Sequence, residues 1–438
     1  MTDIETRGPG RAEPPSSPSE GHHPQDARPA EDPDGGASAS APRGVPTGLL
    51  VFLAGATAIS PMATDMYLAA FPDMARDLGT SSSAVQLTIT MYMIGFGVGQ
   101  YLIGALSDRW GRRGLMLAGL GLTVAASAVA ALAPTIGVLW IARIAQGLGA
   151  AAGAVLGRAI VSDMAGGVRR AQQLSLMMVI QGLMPVVAPV LGSFLVGVIG
   201  WRGIMAVMGA FALVLLIIGV PVTPESLTLE NRSRAPLTRV LSMPLRTLRH
   251  RRFTLLAASF MAANGILFAY ISGSSFVLQD VFGLSATAYG LVFGLNAVVI
   301  GAMSALNARL VSRWSLAALT TAGLAMILVG TAGELIDALV APRLAVFVAC
   351  VSVGTAGLGI LFPNLTTLAL GCLPPTVQGS GSAVIGVSQS IGAAVVSPLV
   401  GLGAGAVPTA LVMAACAALA AVIGLPVLRP GRQASLSR

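Results

Sequence analysis

Two side chains that can ionise, Asp65 and Arg143, lie inside long apolar stretches of this 438-residue sequence. Asp65 comes near the end of the first stretch and Arg143 near the start of the fourth, so in membrane helices both would lie roughly 6–8 Å below one surface, at about 1.5 Å per residue. A charged side chain at the centre of a membrane costs about 2.5–3.5 kcal/mol and usually faces a cavity and has a partner. We therefore predict that both residues handle protons or substrate; the alternative is a purely structural ion pair.

Proton exchange at Asp65 depends on how far its carboxyl group stands from Arg143. A fixed ion pair would be a poor proton carrier, because the guanidinium group stabilises the carboxylate, whereas burial alone favours the neutral acid. A pair that separates in one conformation would carry protons well. We predict that Asp65 is ionised when it lies near Arg143 and protonated when the two are apart.

The composition places most of the surface of this chain in lipid. Hydrophobic residues make up 55% of the sequence and charged residues only 10%, whereas soluble domains carry about 25% charged residues. The mean hydropathy is +0.80. The three cysteines, Cys350, Cys372 and Cys416, are far apart and show no metal-ligand spacing, so we expect no cofactor and no metal.

Apolar runs of about 20 residues, the length that a helix needs to cross the hydrocarbon, recur along the chain. They predict an all-α integral membrane protein with twelve transmembrane helices in two pseudo-symmetric six-helix halves, because lipid offers backbone groups no hydrogen-bond partners. The predicted spans are 48–69, 83–106, 114–133, 138–162, 172–197, 203–221, 254–276, 286–308, 316–336, 344–370, 380–402 and 407–428.

The segments outside the spans predict the domain organisation. Residues 1–43 are rich in Pro, Gly, Ser, Ala and acidic residues and should form a disordered tail. A polar, Arg-rich linker at 222–253 separates an N-terminal half, 44–221, from a C-terminal half, 254–428, and a short tail covers 429–438. Similar basic turns after the second and eighth spans are what a duplicated six-helix unit would leave.

The arginines predict the orientation. All 26 basic residues are arginine, and 22 of them fall on one side of the predicted bundle, whereas Arg76, Arg202 and Arg343 fall on the other. Because cytoplasmic loops carry the excess of basic residues, we expect a multi-pass protein of the cytoplasmic membrane with both termini in the cytoplasm. This distribution explains the pI of about 10.4 without a nucleic-acid partner.

The most specific motif follows the second span and combines glycines with charged residues. Glycine permits a tight turn and close approach of helices, and the Asp and Arg side chains can pair with charges and helix ends across the cytoplasmic face. The alternative is an ordinary basic loop that only sets the orientation. The residues are Gly104, Asp108, Arg109, Gly111, Arg112 and Arg113.

This Gly-x-x-x-Asp-Arg-x-Gly-Arg-Arg pattern resembles the signature loop between helices 2 and 3 of the major facilitator superfamily. The resemblance implies that the loop latches the two halves in the outward-facing state. It also implies that Asp108 meets the start of the eleventh helix, and that Arg112 meets Asp163, the acid that ends the fourth.

Further motifs resemble the Bcr/CflA drug-resistance branch of the twelve-span drug:proton antiporters. They are Asp65-Met-Tyr-Leu, Arg143-x-x-Gln-Gly-x-Gly, Ala188-Pro-x-x-Gly in the fifth span and Ser272-Gly-Ser-Ser-Phe-Val in the seventh. The resemblance implies proton coupling at the first Asp and Arg of these motifs.

The same resemblance implies an antiporter kink at Pro189 and Gly192. A proline lets a helix bend or slide because it removes a backbone hydrogen bond. The sequence departs from the family pattern at Ala69, Ala105 and Ser193. These departures leave the predicted fold unchanged but weaken any inference about substrate.

Six polar side chains in or beside the spans could contact substrate. For each of them, a hydrogen bond between helices is at least as plausible as a role in binding. They are Tyr67, Tyr92, Gln146, Gln181, Asn264 and Asn296.

These observations favour a multidrug or small-molecule efflux transporter that works by proton-coupled antiport and alternating access, as a monomer in the bilayer. The alternatives are a proton-coupled uptake symporter and an exporter of an endogenous metabolite with the same fold. We expect no enzyme, because the histidines, His22, His23 and His250, lie outside the spans. An ATP-driven pump is not expected either, because a phosphate-binding loop needs a lysine and the chain has none.

Overall fold

The computed structural model of the chain describes residues 44–232, 246–374, 377–403 and 405–428. In this part of the chain the regular secondary structure is entirely helical, as predicted. The predicted tails, 1–43 and 429–438, lie outside the described residues, and so does the middle of the predicted linker.

Long helices account for almost all of the described chain, joined by short turns. A 3₁₀ turn at Leu68–Ala70 links the first two helices, and a π-helical turn at Val277–Val281 extends the seventh. The helices are α1 Thr47–Asp65, α2 Phe71–Asp77, α3 Ser82–Trp110, α4 Arg112–Ala131, α5 Ile136–Met164, α6 Gly167–Val222, α7 Arg251–Phe276, α8 Ala286–Leu310, α9 Leu316–Val340, α10 Leu344–Gly371, α11 Gln378–Val400 and α12 Ala406–Leu428.

Helix α6 contains two membrane spans. Its 56 residues would extend roughly 84 Å at about 1.5 Å per residue, far more than a bilayer core of about 30 Å. The helix breaks at Gly200, where φ is +65°, a backbone conformation that favours glycine. Eleven described helical stretches are long and apolar enough to span, and the break brings the count in the described chain to the predicted twelve.

Helix contacts repeat between the two halves. In the first half α5 packs against α1, α3 and α4, and in the second half α10 packs in the same way against α7, α8 and α9. The two halves meet through α3 against α11 and α6 against α8. This arrangement is the expected pair of six-helix units facing each other across one interface.

Glycines bring α3 and α5 into direct backbone contact. A Cβ atom at Gly147 of α5 would overlap the carbonyl oxygen of Tyr92 on α3, and one at Gly95 of α3 would overlap that of Ile144. Because no larger residue fits, the two helices cross at this point. The crossing holds the Tyr92 ring beside Arg143.

Asp65 and Arg143 lie further from the ends of their helical segments than the sequence predicts. The chain does not leave the bundle at residue 69; it continues through α2 to Asp77, and Tyr67 and Phe71 are fully buried. Arg143 stands seven residues after Ile136, where α5 begins, or about 10 Å at the usual helical rise. The end of the bundle that carries α2 is called the Asp77 end below, and the opposite end the signature-loop end.

Candidate functional site

Arg143 is a fully buried cation whose hydrogen bonds all go to neutral groups. The side chain is 0% exposed. Its guanidinium group donates to the carbonyl oxygen of Ala63 at 2.8 Å, to the Tyr67 hydroxyl at 3.2 Å and to the carbonyl oxygen of Thr88 at 3.5 Å. It also donates to the side-chain oxygen of Gln146. These dipoles stabilise the positive charge without a carboxylate.

Two aromatic rings complete the setting of Arg143. The guanidinium carbon lies 4.5 Å from the centroid of the Tyr67 ring and 4.5 Å from that of Tyr92. A cation over an aromatic face is attracted by the ring quadrupole, by about 2 kcal/mol or more when both are desolvated. The planar guanidinium group is therefore held between two rings, a geometry that suits arginine better than lysine.

Asp65 is buried but forms no ion pair within 4.0 Å among the described residues. It is 5% exposed at the end of α1. Tyr67 and Tyr92, whose rings contact Arg143, also lie within electrostatic range of Asp65. Of the two arrangements considered from the sequence, the structure has the one in which acid and base are apart.

The chain that follows Asp65 is fastened to the other half. Ser275 on α7 donates a hydrogen bond to the carbonyl oxygen of Leu68 at 2.6 Å, and Gln279 donates to that of Ala69 at 3.1 Å. The ring of Phe71 lies 5.9 Å from that of Phe276. The Ser272-Gly-Ser-Ser-Phe-Val motif of the sequence thus contacts the Asp65 segment directly.

A second contact closes the Asp77 end. The Ser83 hydroxyl of α3 donates to the carbonyl oxygen of Gly401, just beyond α11. Together with the α7 contacts, it holds the two halves together on this side of the bundle. The described state is therefore closed at the Asp77 end.

The Pro189–Gly192 motif contacts both halves at once. A Cβ atom at Gly192 would overlap the carbonyl oxygen of Met66, the residue after Asp65. On the other side of α6, Gly290 of α8 faces Ser193 and the carbonyl oxygen of Pro189, which would lie 3.0 Å from a Cβ atom built on Gly290. The motif is thus placed between the Asp65 segment and the second half.

The signature loop forms a network of charges at the opposite end. Arg112 lies 3.2 Å from Asp163 at the end of α5, which is the contact that the resemblance implies. It also donates to the Ser107 hydroxyl, and Gly111 turns the chain with φ at +98°. Arg113 donates to the carbonyl oxygen of Val220 at 2.9 Å.

Asp108 has a different partner from the one that the resemblance implies. It is half exposed and pairs at 2.7 Å with Arg112 of its own loop, and among the described residues it forms no ion pair with the start of α11. The resemblance assigns that contact to the outward-facing state, whereas the described state is closed at the Asp77 end. The other two residues of the motif lie on α3. Arg109 is in its last turn. A Cβ atom built on Gly104 would lie 3.9 Å from Val155 on α5.

Two residues that sequence reasoning missed fasten this loop from the start of the linker. Glu225 accepts a hydrogen bond from the backbone N–H of Arg112 at 2.8 Å and so caps the N-terminus of α4. Ser226 donates to Asp163 at 2.8 Å. The only sequence signal is an acid soon after the sixth span, which is too common a feature to indicate such a contact.

The remaining predicted substrate residues do not form one group. Gln146 bridges Arg143 and the Ser127 hydroxyl, at 2.8 Å from the latter. Asn264 donates to the carbonyl oxygen of Phe260 on its own helix, and Gln181 is half-buried on α6. Asn296 is buried between helices and donates to the Tyr270 hydroxyl at 3.1 Å. Helix-to-helix hydrogen bonding thus describes Gln146 and Asn296 well in this state.

One acidic residue at membrane depth was overlooked. Besides the predicted pair Asp65 and Arg143, Glu334 lies within a predicted span, the ninth. The structure places it on α9 at 2% exposure. Like Asp65, it is an ionisable side chain inside an apolar span and is expected to have a partner or a function. Within the described ranges, no three His, Cys, Asp or Glu side chains come together as a metal site requires.

The sequence profile described as the Major Facilitator Superfamily matches residues 53–397. The chain belongs to this superfamily. The uncharacterized MFS-type transporter YdgK of Bacillus subtilis is 33% identical to it, over 86% of this chain and 93% of that protein. Multidrug resistance protein D of Escherichia coli is 28% identical over 80% of this chain and 88% of that protein.

A chloramphenicol resistance protein of Pseudomonas aeruginosa is 29% identical over 62% of this chain and 64% of that protein, less than two thirds of its length. Solved structures agree on the fold. The nucleoside transporter NupG superposes with a TM-score of 0.69 at 11% identity, covering 86% of this chain and 98% of that one. A POT family transporter in complex with 5-aminolevulinic acid reaches 0.68 at 13% identity, covering 89% and 96%. The chain is a multi-pass membrane transporter of this superfamily, and its fold is the predicted one.

Proposed function

We propose that this transporter exports small amphiphilic compounds from the cytoplasm in exchange for protons, as a monomeric member of the Bcr/CflA branch. The proposal rests on the surroundings of Asp65, a buried carboxyl group with no cation within 4.0 Å among the described residues. Asp65 is one residue from Met66, where α6 packs against the end of α1. Burial without a counter-charge favours the neutral acid. Asp65 is therefore the group that holds the transported proton in this state.

Arg143 promotes the release of this proton from Asp65. A drug that enters near Tyr67 and Tyr92 competes with the guanidinium group for their aromatic faces. Once displaced from the rings, Arg143 pairs with Asp65, and the carboxylate is stabilised as the proton leaves to water. Drug binding and proton release are thereby coupled through one short set of contacts.

The position of Asp65 connects this chemistry to alternating access. The proton site is continuous with Leu68–Phe71, which α7 holds, and with Gly192, which packs on Met66. A change of charge at Asp65 therefore acts on the contacts that keep the Asp77 end closed. We assign the signature-loop end, with both termini, to the cytoplasm, and the Asp77 end to the outer face of the cytoplasmic membrane.

The names of the relatives support drugs as the cargo class. Multidrug resistance protein D and the chloramphenicol resistance protein carry this function in their names, while YdgK, the more similar relative, is uncharacterized. An exporter of an endogenous metabolite is the second candidate, because the departures at Ala69 and Ser193 lie in the contact region of the Asp77 end.

Everted membrane vesicles test the direction of transport. When the vesicle interior is acidic, the wild-type antiporter should accumulate a fluorescent drug and the Asp65→Asn variant should not. Equal amounts of both proteins in the vesicle membrane are the control. A proton-driven accumulation that is the same in both proteins would disprove the role of Asp65. Accumulation of drug only when the vesicle interior is more alkaline than the medium would favour the symporter.

A drug-susceptibility panel in an efflux-deficient host tests the cargo. Resistance to any compound that is lost in Asp65→Asn supports drug export. If none of the compounds gives resistance, although the protein is present in the membrane, export of an endogenous metabolite replaces the drug proposal.

A further inference from the structure

The second half contains a buried acid, Glu334, that has no hydrogen-bond partner among the described residues. It lies on α9, which packs against α10 and α12. Both carboxylate oxygens are inaccessible and have no hydrogen-bond partner among the described residues. A buried polar group left without a partner is costly, and a buried charge far more so. Such a group is uncommon in a folded protein and calls for an explanation.

The helices around Glu334 offer no counter-charge. From α10, Cys350 packs against Gly333, the residue before Glu334, with its sulfur atom 2.8 Å from a Cβ atom built on that glycine, and it lies in electrostatic range of Glu334. From α7, Tyr270 lies in its field. On its own helix, Asp337 is already paired with Arg343 at 3.1 Å.

The third neighbour, α12, carries no acidic or basic residue between 406 and 428. Its Cys416 packs instead against Gly265 of α7. An ionised carboxylate at Glu334 would thus meet one thiol, one phenol and a second, already paired acid. These surroundings favour the neutral acid over the carboxylate at Glu334.

A row of buried groups leads from Glu334 towards Asp65. Tyr270 accepts a hydrogen bond from Asn296 at 3.1 Å, and its ring stacks on Phe293 at 5.2 Å. The ring of Tyr289 packs on the same phenylalanine at 5.9 Å. Tyr289 in turn lies in the fields of both Tyr270 and Asp65. This aromatic cluster lies within the second half, with Tyr270 in electrostatic range of Glu334 and Tyr289 in electrostatic range of Asp65 in the first half.

We propose that Glu334 is a second proton-binding group of the transport cycle, and that its charge and that of Asp65 act on each other across the buried interior that holds Tyr270 and Tyr289. The proposal rests on the proposed antiport function. When the halves rearrange and water reaches α9, the O–H bond of the Glu334 acid breaks, the proton passes to water and the negative charge stays on the carboxylate. A charge at either acid then disfavours ionisation of the other, so the two protons leave in sequence.

Infrared difference spectra of the purified protein over a pH titration test whether Glu334 carries a proton, without any drug. The C=O stretch of a protonated carboxyl group disappears on ionisation. Wild type should lose two buried carboxyl bands, Glu334→Gln should lack one of them and Asp65→Asn the other. Glu230→Gln, a change at an exposed residue of the linker, is the control and should match wild type.

The same spectra include an internal test of coupling. In Asp65→Asn, the Glu334 band should disappear at lower pH than in wild type, because the competing negative charge is gone. Glu334→Asp keeps the acid and should retain the band at a shifted midpoint, even if Glu334→Gln folds poorly. A carboxyl spectrum that is the same in all Glu334 variants and wild type would overturn the proposal, and so would a Glu334 band that never titrates while the protein stays folded.

Drug-induced proton release separates this inference from the proposed function. On adding an exported drug, Glu334→Gln should release fewer protons than wild type and Glu230→Gln the same number. Unchanged release in Glu334→Gln refutes a role of Glu334 in the cycle, with Asp65 still active. Unchanged release in Asp65→Asn instead refutes the proposed function.

Discussion

At the scale of single residues, the site depends on how a buried charge is stabilised. Arg143 needs no acid, because carbonyl oxygens, an amide and two aromatic rings surround it. Asp65 is thereby left free to exist as the neutral acid. A protein that had paired the two permanently would have a stable ion pair but no exchangeable proton. In the proposed mechanism, the separation of base and acid is the feature that makes proton coupling possible.

Replacement of Arg143 by lysine tests this arrangement. Lysine keeps the charge but lacks the planar fork, so the hydrogen bonds to Ala63 and Gln146 and the stacking between the two rings cannot all be kept. Each hydrogen bond to a charged group contributes about 1.5–3 kcal/mol. We expect Arg143→Lys to lower the thermal midpoint in detergent and to abolish drug export, whereas Arg170→Lys, at an exposed position, should change neither. A fully active Arg143→Lys protein would show that only the charge matters.

At the scale of helices, small residues set where the moving parts touch. Gly192 lets α6 pass directly over Met66, and Gly290 lets α8 reach Ser193 on the other face of α6. The two prolines of this segment, Pro185 and Pro189, lie inside the helix and leave backbone carbonyls unpaired, which permits bending. In the proposed mechanism, α6 is the hinge element between the Asp65 segment and the second half.

A single methyl group at Gly192 tests the hinge. The added Cβ atom would overlap a backbone oxygen, so α1 and α6 must move apart, and overpacking of this kind costs about 1–3 kcal/mol. We expect Gly192→Ala to lower the thermal midpoint and to reduce export strongly. Gly182→Ala on the same helix, where nothing lies within 4 Å of the new atom, is the matched control. Equal activity of the two variants would exclude close packing at Gly192 as a requirement.

At the scale of the whole molecule, transport requires the closed Asp77 end to open. Among the described residues, the hydrogen bonds that close it include those of Ser275 and Gln279 with the Asp65 segment and that of Ser83 with Gly401. At the other end, Arg112, Asp163 and Glu225 tie the signature loop to the linker within the first half. Separation of the halves at the Asp77 end would break these hydrogen bonds and the apolar contacts beside them.

A disulfide across the Asp77 end tests this movement. A Cβ atom on Gly401 would lie 2.9 Å from that of Ser83, so a small shift reaches the usual spacing of about 3.5–4.5 Å in a disulfide. In a background without the three native cysteines, Ser83→Cys with Gly401→Cys should lose transport on oxidation and regain it with reductant, and Ser83→Cys alone should be insensitive. Export by the fully oxidised protein would contradict opening at this end.

The sequence by itself determined the fold class, the twelve spans and the identity of the Asp65 and Arg143 candidates. Hydropathy and run length decide whether a segment crosses a membrane, and both are properties of the local sequence. The local sequence also explains why α6 is one helix but two spans, because its break at Gly200 falls between two predicted spans.

Only the tertiary structure decided which side chains meet. That Arg143 contacts Ala63 and two tyrosines rather than Asp65, and that Glu334 faces no cation among the described residues, depends on the rotation and depth of helices far apart in the chain. A shift of one helix by a single residue, about 1.5 Å and 100° of rotation, would change these partners without altering the hydropathy of any span. The pairing of charges is therefore a property of the packed helices and of the conformation they adopt.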